Sequence, residues 1–267
     1  MASNDSTKKI LTVALGVCLV CSVLVSASAV SLRSRQERNK ELDKIKNILT
    51  AGALPVKGAD VFQLFRENIQ TIVVDLESGR VLDLGELPAG FDPAKFNIKE
   101  AADSRDFGKA LPPEKDLIGM QRIPRLIPVY EVISGGRVSK LILPIYGKGL
   151  WSTLYGFLAL NADLTTVEGI TFYEHGETPG LGGEVDNPNW KAKWHGKRAF
   201  DDQGHLKLQV LKGAPDPNDP EAIYQIDGLS GATLTTRGLD AMVRFWLGED
   251  GYGRFLARLK EDAHHEG

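Results

Sequence analysis

The sequence predicts an α+β protein: a single N-terminal transmembrane helix followed by a soluble domain with a largely antiparallel sheet and flanking helices. Three patterns predict this fold class. Residues 10–32 are uncharged and mostly apolar. Short apolar and β-branched runs, separated by turn residues, then recur between residues 71 and 211, as in an antiparallel meander. Residues 239–247 place apolar side chains at helical spacing, which predicts a helix packed against the sheet.

The uncharged N-terminal run is long enough to cross a membrane. As a helix, residues 10–32 would reach about 34 Å, and a hydrocarbon core is about 30 Å thick. A secretory signal peptide is the alternative, because Lys8 and Lys9 resemble its basic start and Ala27–Ala29 resembles a cleavage site. The apolar run before that site is long for a signal peptide, which favours an uncleaved span.

Further elements follow from local patterns along the chain. Helices are predicted over residues 37–53 and 60–68, and the start of a short helix over residues 191–196. Residues 84–119 are rich in Pro, Gly, Asp and Lys and predict loops with a little helix, and residues 214–220 predict a surface loop. The predicted strands, of which the first two form a hairpin, are residues 71–76, 80–82, 126–132, 138–143, 155–160, 167–173 and 206–211.

Composition and cysteine content exclude several classes of function. A formal net charge of -3 gives no reason to expect nucleic acid as a partner. The two cysteines, Cys18 and Cys21, both lie inside the predicted span. The remainder of the chain therefore has no disulfide framework, no cysteine-ligated zinc site and no cysteine-ligated iron–sulfur cluster. If electrons pass through it, an organic cofactor must carry them.

The most informative segment, Asp227–Gly238, places several hydroxyl side chains around a Gly-Ala pair, just before the predicted C-terminal helix. A helix that begins near Thr235 or Thr236 would direct free backbone N–H groups and its positive dipole end at this hydroxyl cluster. That arrangement favours a phosphate beside Thr233. Ordinary N-cap residues of a helix are the alternative explanation for these hydroxyls.

A second candidate segment, Glu174–Gly183, follows the strand predicted over residues 167–173. Its four glycines and one proline allow the backbone to turn sharply and to approach a flat ligand closely. Its spacing fits neither the dinucleotide-binding pattern nor the P-loop pattern. By itself, the segment is equally consistent with an ordinary loop between strands.

Together, the two segments resemble the FMN-binding domain family. Asp-Gly-Leu-Ser-Gly-Ala-Thr-Leu-Thr is similar to the flavinylation motif of that family, in which the threonine after Gly-Ala carries FMN through a phosphoester; here it is Thr233. The resemblance also implies a separate flavin transferase that attaches FMN from FAD. The implied neighbours of the phosphoester and of the isoalloxazine ring are Ser230, Gly231, Ala232, Leu234, Thr235, Glu177, Thr178, Leu181 and Gly182.

Residues 147–160 and 245–256 resemble the C subunit of the Na+-translocating NADH:quinone reductase. The G subunit of the Rnf electron-transport complex is the alternative, but residues 58–125 and the C-terminal extension favour the reductase. The resemblance implies an electron carrier in an assembly of several subunits that oxidises NADH, reduces ubiquinone and pumps Na+ mainly through the other subunits. The chain then divides into a tail (1–9), the transmembrane helix (10–32), a juxtamembrane helix with the N-terminal part of the soluble domain (33–125) and an FMN-binding domain (126–267).

Two indications of membrane orientation disagree. Lys8 and Lys9 precede the span, whereas four basic residues closely follow it, and this count places the domain in the cytoplasm. The family resemblance implies a bacterial inner-membrane protein with its soluble domain in the periplasm. Because the charge rule is weaker where a long domain follows the span, we predict the periplasmic orientation.

Other candidates for chemistry are weaker. His175, His195 and His205 lack the spacing of zinc ligands, and Ser230 lacks the Gly-x-Ser-x-Gly arrangement of a hydrolase nucleophile. Thr233 as a hydrolytic nucleophile would need an adjacent base, and none is identifiable. The sequence therefore predicts neither a metal site nor a catalytic residue.

Two functions from different classes remain. Trp151 and Tyr155 suit either the core or a cofactor pocket, and the glycine-rich approach of residues 147–149 favours the pocket for Trp151. The first function is that of a membrane-anchored electron carrier that holds covalent FMN, which would need no catalytic acid or base in this chain. The alternative is a non-redox membrane-anchored module for binding or assembly, whose glycine-rich loops hold a small ligand or a partner peptide.

Overall fold

The structure is a computed structural model that describes residues 7–265, and the side chains of residues 7–262. It divides into two compact units, Met1–Lys44 and Ile45–Gly267. Residues 1–6 of the predicted N-terminal tail and the last two residues of the chain lie outside the described residues.

The first helix, α1 (Thr7–Ala51), includes the predicted span and nearly all of the helix predicted over residues 37–53. The two are continuous because residues 17–51 contain no glycine or proline, and the helix ends immediately before Gly52. Among the described residues, α1 is the helix that is long and apolar enough to cross a membrane. This fits a single-pass membrane protein.

The described part of the second unit contains five further helices. They are α2 (Val61–Asn68), α3 (Ile98–Asp103), α4 (Pro188–Ala192), α5 (Thr233–Leu247) and α6 (Gly253–His265). The α2 helix confirms the element predicted over residues 60–68. Its N-cap is Asp60, whose side chain accepts hydrogen bonds from two amides of the first turn.

The described strands are β1 (Ile69–Asp75), β2 (Arg80–Leu82), β3 (Gly108–Ala110), β4 (Arg122–Pro124), β5 (Leu126–Ser134), β6 (Arg137–Lys148), β7 (Thr153–Asn161), β8 (Val167–Glu174), β9 (Gln209–Val210) and β10 (Gln225–Ile226). Six of them form one antiparallel sheet in the order β2-β1-β5-β6-β7-β8. The predicted α+β class with a largely antiparallel sheet is therefore confirmed.

The sheet is covered on both faces, which explains why its central strands are apolar almost throughout. On one face, Leu143 of β6 belongs to a buried cluster that includes Met242 of α5. On the other face, the neighbouring Ile142 belongs to a second cluster that includes Ile48, near the end of α1. Successive residues of one strand thus contact different helices, as the period of a strand requires.

The ends of three strands bring the two candidate segments together. β6 stays paired to β7 through Lys148, so the loop of residues 149–152 projects from this end of the sheet. β8 ends at Glu174, opposite the start of β7. The α5 helix packs closely against this end of the sheet. As a result, a Cβ atom added at Gly238 would lie only 2.1 Å from the carbonyl oxygen of Lys148. Glycine is therefore required at this contact.

The strand predicted over residues 206–211 is largely wrong. Only Gln209–Val210 forms a strand, and it pairs in parallel with β10, outside the main sheet. The amides of Lys207 and Leu208 instead donate to the carbonyl oxygen of Ala199. This loop contact removes the donors that a longer strand would need.

The short helix predicted over residues 191–196 is displaced towards the N-terminus. The observed α4 helix begins at Pro188 and ends at Ala192. The Asn187 side chain caps it by accepting from the amide of Asn189, and the φ of proline suits the first helical position. The cap and the proline, rather than the later apolar residues, fix the start of this helix.

Candidate functional site

The candidate site is organised around one buried carboxylate, that of Glu177, which is 5% exposed. Its Oε1 atom accepts hydrogen bonds from the backbone N–H groups of Trp151 and Ser152, each at 3.0 Å, and from Ser152 Oγ at 3.2 Å. Its Oε2 atom accepts from the N–H of Leu150 at 3.2 Å and from Thr235 Oγ1 at 2.6 Å. The carboxylate therefore joins the β6–β7 loop, the glycine-rich loop and the start of α5.

These contacts stabilise the charged form of the carboxylate. Burial raises the pKa of Glu177, but the hydrogen bonds from Thr235 and from three backbone amides outweigh burial, so the pKa lies below its ordinary value. The ion pairs found among the described residues do not include Glu177. Neutral donors, and not a cation, hold this negative charge at neutral pH.

Two glycines make room for the carboxylate. A Cβ atom at Gly149 would lie 2.6 Å from Glu177 Oε1. A Cβ atom at Gly182 would lie 2.7 Å from Glu177 Oε2 and 2.6 Å from Thr235 Oγ1. A side chain at either position would displace a buried polar contact. Gly182, which was predicted from the glycine-rich loop, is thus required for the contact between Glu177 and Thr235.

The predicted start of the C-terminal helix at Thr235 or Thr236 is wrong, since α5 begins at Thr233 with Ala232 as its N-cap. Both later threonines are buried and bonded elsewhere. Thr235 donates to the carboxylate described above, and Thr236 Oγ1 accepts from the N–H of Leu229 at 3.0 Å. Their hydroxyls hold two different loops against the helix, so they do not act as N-caps.

The first turn of α5 offers free hydrogen-bond donors beside Thr233. No side chain caps the helix, and its first intrahelical bond runs from the N–H of Thr236 to the carbonyl of Ala232, at 2.9 Å. The N–H groups of Thr233, Leu234 and Thr235 precede this bond and have no intrahelical acceptor. Together with the helix dipole, they favour an anion such as phosphate next to the half-buried Thr233 side chain.

Four large apolar side chains on the segments joined by Glu177 remain exposed, and we call them the apolar rim. They are Leu150, Trp151, Leu181 and Leu234. Trp151 is 71% exposed, and the three leucines are 44–52% exposed. A Cβ atom at Gly231 would lie 2.9 Å from Leu181 Cδ2, so the glycine-rich loop adjoins the acceptor segment. A local group of exposed apolar side chains is typical of a binding surface and suits a flat aromatic ring.

The two candidate aromatic residues differ in environment. Tyr155 is 6% exposed and stacks on Tyr146, with ring centroids 5.6 Å apart and an angle of 13° between the rings. Lys99 Nζ lies 4.5 Å from the centroid of the Tyr155 ring. Tyr155 is therefore a core residue. Trp151 does not belong to the core and is accessible to a ligand or partner.

The remaining predicted residues shape the loops. Thr178 and Ser230 are both exposed. The carbonyl oxygen of Thr178 accepts from the N–H of Leu181 at 3.1 Å and from the N–H of Gly183 at 2.9 Å, which closes the turn of the glycine-rich loop. Gly231 takes a positive φ of 71°, which glycine adopts readily, in the turn before α5. The structure thus brings the predicted loop and the predicted acceptor segment to one end of the sheet.

Two residues that the sequence did not single out hold the acceptor segment. Trp190 Nε1 donates to the carbonyl oxygen of Asp227 at 2.9 Å. Lys193 Nζ forms an ion pair with the Asp227 carboxylate. Both come from α4 or the residue following it, and no local pattern connects them to Asp227. An aromatic residue and a lysine in a polar segment were the only signal.

Each candidate histidine contacts a different oxygen. The contacts join His175 Nε2 to Asp186 Oδ2 at 2.8 Å, His195 Nδ1 to the Glu168 carbonyl at 3.1 Å and His205 Nδ1 to Asp201 Oδ2 at 3.2 Å. Within the part of the chain that the structure describes, no group of three or more His, Cys, Asp or Glu residues is arranged to hold a metal ion.

Comparisons with known proteins agree with this geometry. Residues 149–248 match the model of the FMN-binding domain family. The chain is 49% identical over 264 residues to the C subunit of the Na(+)-translocating NADH-quinone reductase of Pseudomonas aeruginosa, covering 98% of this chain and 99% of that protein. It is 45% identical over 269 residues to the corresponding protein of Yersinia pestis, covering 99% of this chain and 97% of that protein.

Solved structures show the same similarity. The crystal structure of Shewanella oneidensis NqrC matches with a TM-score of 0.74 and 31% identity, covering 84% of this chain and 99% of that one. The C subunit of the Na(+)-translocating NADH-quinone reductase of Parabacteroides distasonis matches with a TM-score of 0.63 and 28% identity, covering 84% and 96%.

The fold and the family match together define the class: a protein with an FMN-binding domain and one helix that fits a single membrane span. The chain belongs to the family of C subunits of the Na+-translocating NADH-quinone reductase, an oxidoreductase complex. This assignment confirms the resemblance to that family. Of the two families considered from the sequence, it favours the reductase over the Rnf complex.

Proposed function

We propose that this chain is an electron carrier of the membrane complex and holds FMN through a phosphoester on Thr233. The position of Thr233 carries the proposal. Its half-buried side chain stands on the first residue of a helix whose first-turn amides are free for a phosphate. The family assignment and the match over residues 149–248 support FMN as the ligand.

The surrounding residues fit such a cofactor. The amides of Leu234 and Thr235 would face the phosphate, and the turn formed by Ser230, Gly231 and Ala232 keeps large side chains away from it. The ring would lie against the apolar rim and against Thr178, Leu181 and Gly182 of the glycine-rich loop. When bound, FMN supplies the ability to pass electrons one at a time. No acid or base is then required of this chain.

The complete reaction would depend on partners. We assign the oxidation of NADH, the reduction of ubiquinone and the transport of Na+ mainly to other subunits, between which this chain relays electrons. A separate flavin transferase would attach FMN. We place the FMN-binding domain at residues 126–267, since every predicted site residue lies there, after the tail (1–9), the span (10–32) and the juxtamembrane part (33–125).

We place the soluble domain in the periplasm, anchored in the inner membrane by one span. The basic residues after the span argue the other way, so the orientation needs its own test. Protease added to spheroplasts should cleave the domain, whereas inverted membrane vesicles should protect it. Cleavage only in inverted vesicles would contradict the periplasmic placement.

The covalent attachment is tested on the full-length chain coexpressed with a flavin transferase. After denaturing electrophoresis, the wild-type band should fluoresce under ultraviolet light, and mass analysis should find FMN on the peptide that contains Thr233. Thr233→Ala should abolish both signals. Thr50→Ala, which removes an exposed threonine hydroxyl from α1, should leave both intact.

The alternative function is a non-redox module for binding or assembly. Its support is the exposure of the apolar rim, which would also suit a partner peptide. A wild-type band without fluorescence, and a chain mass equal to that of its amino acids, would favour this module. Thr233→Ser is a weaker probe, because the hydroxyl group survives.

A further inference from the structure

The Glu177 carboxylate is held by groups of the protein itself, so a direct contact with a cofactor is not needed to explain its position. Five donors converge on it: three backbone amides, the Ser152 hydroxyl and the Thr235 hydroxyl. Its partners lie 25–27 residues earlier in the chain and 58 residues later. One side chain therefore determines how two loops and one helix end meet.

This arrangement depends on the negative charge. A carboxylate accepts hydrogen bonds at both oxygens, whereas a glutamine side chain presents an NH2 group in place of one of them. In Glu177→Gln, that group would face the N–H of Leu150 and the hydroxyl of Thr235. The hydroxyl can rotate and accept, but the Leu150 amide would lose its acceptor.

The contact with Thr235 links the carboxylate to the acceptor residue. Thr235 is 1% exposed and lies in the first turn of α5, two residues after Thr233. Its hydroxyl donates to Oε2 at 2.6 Å, the shortest of the five contacts. Gly149 and Gly182 allow this approach, since a Cβ atom at either would collide with the carboxylate. The first turn of α5 is thus held by a hydrogen bond to the glycine-rich loop.

We propose that Glu177 is a positioning residue for flavin attachment: it fixes the first turn of α5 against the two loops, so that the Thr233 hydroxyl and the apolar rim are in place before FMN arrives. This rests on the proposed function. The attachment step forms a bond between Thr233 Oγ1 and the FMN phosphorus of FAD, breaks the phosphoanhydride bond and releases AMP. The hydroxyl proton leaves to the transferase or to solvent.

Glu177 takes no part in that proton transfer. Both of its oxygens already accept hydrogen bonds from protein groups, and the structure shows no contact between them and the Thr233 hydroxyl. Its contribution is geometric and acts through Thr235. Removing the Thr235 hydroxyl should therefore lower the rate of flavin attachment without any change at Glu177.

The test uses the full-length chain in detergent, purified without flavin, and supplied with a flavin transferase and FAD. We expect Thr235→Val to lower the initial rate of FMN incorporation by roughly tenfold, since a hydrogen bond to a charged group contributes about that factor. Thr235→Ser, which retains the hydroxyl, should recover most of the rate. Glu177→Gln should lower the rate less than Thr235→Val, because it keeps a hydrogen bond to Thr235 and leaves only the Leu150 amide without its acceptor.

The matched control is Thr171→Val. Thr171 is 3% exposed, and its hydroxyl donates to the carbonyl oxygen of Asn47 at 3.2 Å, so a buried hydrogen bond is also lost there. The rate of FMN incorporation in Thr171→Val should equal that of the wild type. The absorption spectrum and midpoint potential of the attached flavin should shift in Thr235→Val but not in Thr171→Val, because only the first change alters the environment of the ring.

The outcomes are separable. Wild-type rates, spectra and potentials in both Thr235→Val and Glu177→Gln would overturn the positioning role while leaving the flavin attachment intact. Equal losses in Thr171→Val and Thr235→Val would also overturn it, because general destabilisation would then explain the effect. A wild-type chain that takes up no FMN would overturn the proposed function and this inference together. If Glu177→Gln unfolds, the comparison of Thr235→Val with Thr235→Ser decides alone.

Discussion

Two carboxylates, one partly buried and one buried, lie near opposite ends of β8 and are held in different ways. Near its start, Glu168 forms an ion pair with Lys140 Nζ at 2.9 Å, and the same ammonium group donates to the carbonyl oxygen of Gly52 at 2.8 Å. Just after its end, Glu177 is held only by neutral donors. The ion pair between Glu168 and Lys140, with the hydrogen bond from Lys140 to Gly52, holds the chain segment after α1 to the sheet. An uncompensated charge organises the loops of the candidate site.

The two ends of β8 differ in the kind of donor that holds the carboxylate. A cation beside Glu177 would neutralise the charge, but a lysine is a flexible point donor and cannot replace three fixed amides. Backbone donors also fix the loop conformation, because their positions are those of the chain itself. The site end is therefore held by five hydrogen bonds to one negative charge. At the other end, Glu168 is held by the Lys140 ammonium group, with His195 Nδ1 3.9 Å from its second oxygen.

The largest expected effect is that of Glu177→Ala. It leaves up to five donors without their acceptor in a buried place, so we expect the free energy of unfolding to fall by about 3 kcal/mol. Chemical unfolding of the full-length chain, followed by near-ultraviolet circular dichroism, measures this change. A loss below about 1 kcal/mol would show that water replaces the carboxylate without penalty.

Gly182→Ala should have the next largest effect. Its Cβ atom would lie 2.6 Å from Thr235 Oγ1 and 2.7 Å from Glu177 Oε2, which implies a loss of about 2 kcal/mol by overpacking. Gly213→Ala is the control, because nothing lies within 4 Å of its Cβ position. Equal thermal unfolding temperatures for the two variants would contradict the crowding argument.

At the other end of β8, Lys140→Met should lower the free energy of unfolding by about 1–2 kcal/mol. It leaves the Glu168 carboxylate and the Gly52 carbonyl without their shared donor. Flavin incorporation should remain at the wild-type level, because neither group belongs to the candidate site. Reduced incorporation at full stability would mean that the two ends of the strand are coupled.

The pH dependence of stability offers a smaller effect. The folded-state pKa of Glu177 lies below its ordinary value, so its contribution is fully present above the unfolded pKa of about 4.3 and is lost as pH falls through the lower folded value. Unfolding free energies should therefore fall more steeply in the wild type than in Glu177→Gln as pH decreases below about 4.3. Parallel curves would show that the carboxylate is not selectively stabilised.

Trp151→Leu should have the smallest effect on stability. The side chain is 71% exposed, so the free energy of unfolding should change by less than about 0.5 kcal/mol. The spectrum or midpoint potential of the bound flavin should nevertheless change, if the ring lies against the rim. A collapsed fold would contradict the exposed position of Trp151.

The sequence predicts the parts of this fold that depend on local pattern. The apolar and β-branched runs of β5 to β8 and the hairpin of β1 and β2 are found near the predicted positions. The α1 helix follows from its apolar run and from the absence of glycine and proline between residues 17 and 51. Each of these elements is specified by neighbours within a few positions of the chain.

The parts that were wrong or missed depend on contacts between distant residues. Thr235 and Thr236 look like N-caps, but each bonds to a loop outside the helix, and the helix starts at Thr233. The resemblance placed Glu177 near the ring, yet no local pattern shows that its carboxylate accepts from residues 150–152. Such contacts become visible only when the strands are assembled.

The unequal exposure of the four tryptophans gives the protein an internal optical probe. Trp190, Trp194 and Trp246 are at most 6% exposed, whereas Trp151 on the apolar rim is 71% exposed. An aqueous collisional quencher such as iodide should therefore quench the fluorescence of Trp151 and leave that of the three buried tryptophans largely unchanged. A molecule that covers the rim should shield that indole, so the occupancy of this surface can be followed in the unlabelled protein.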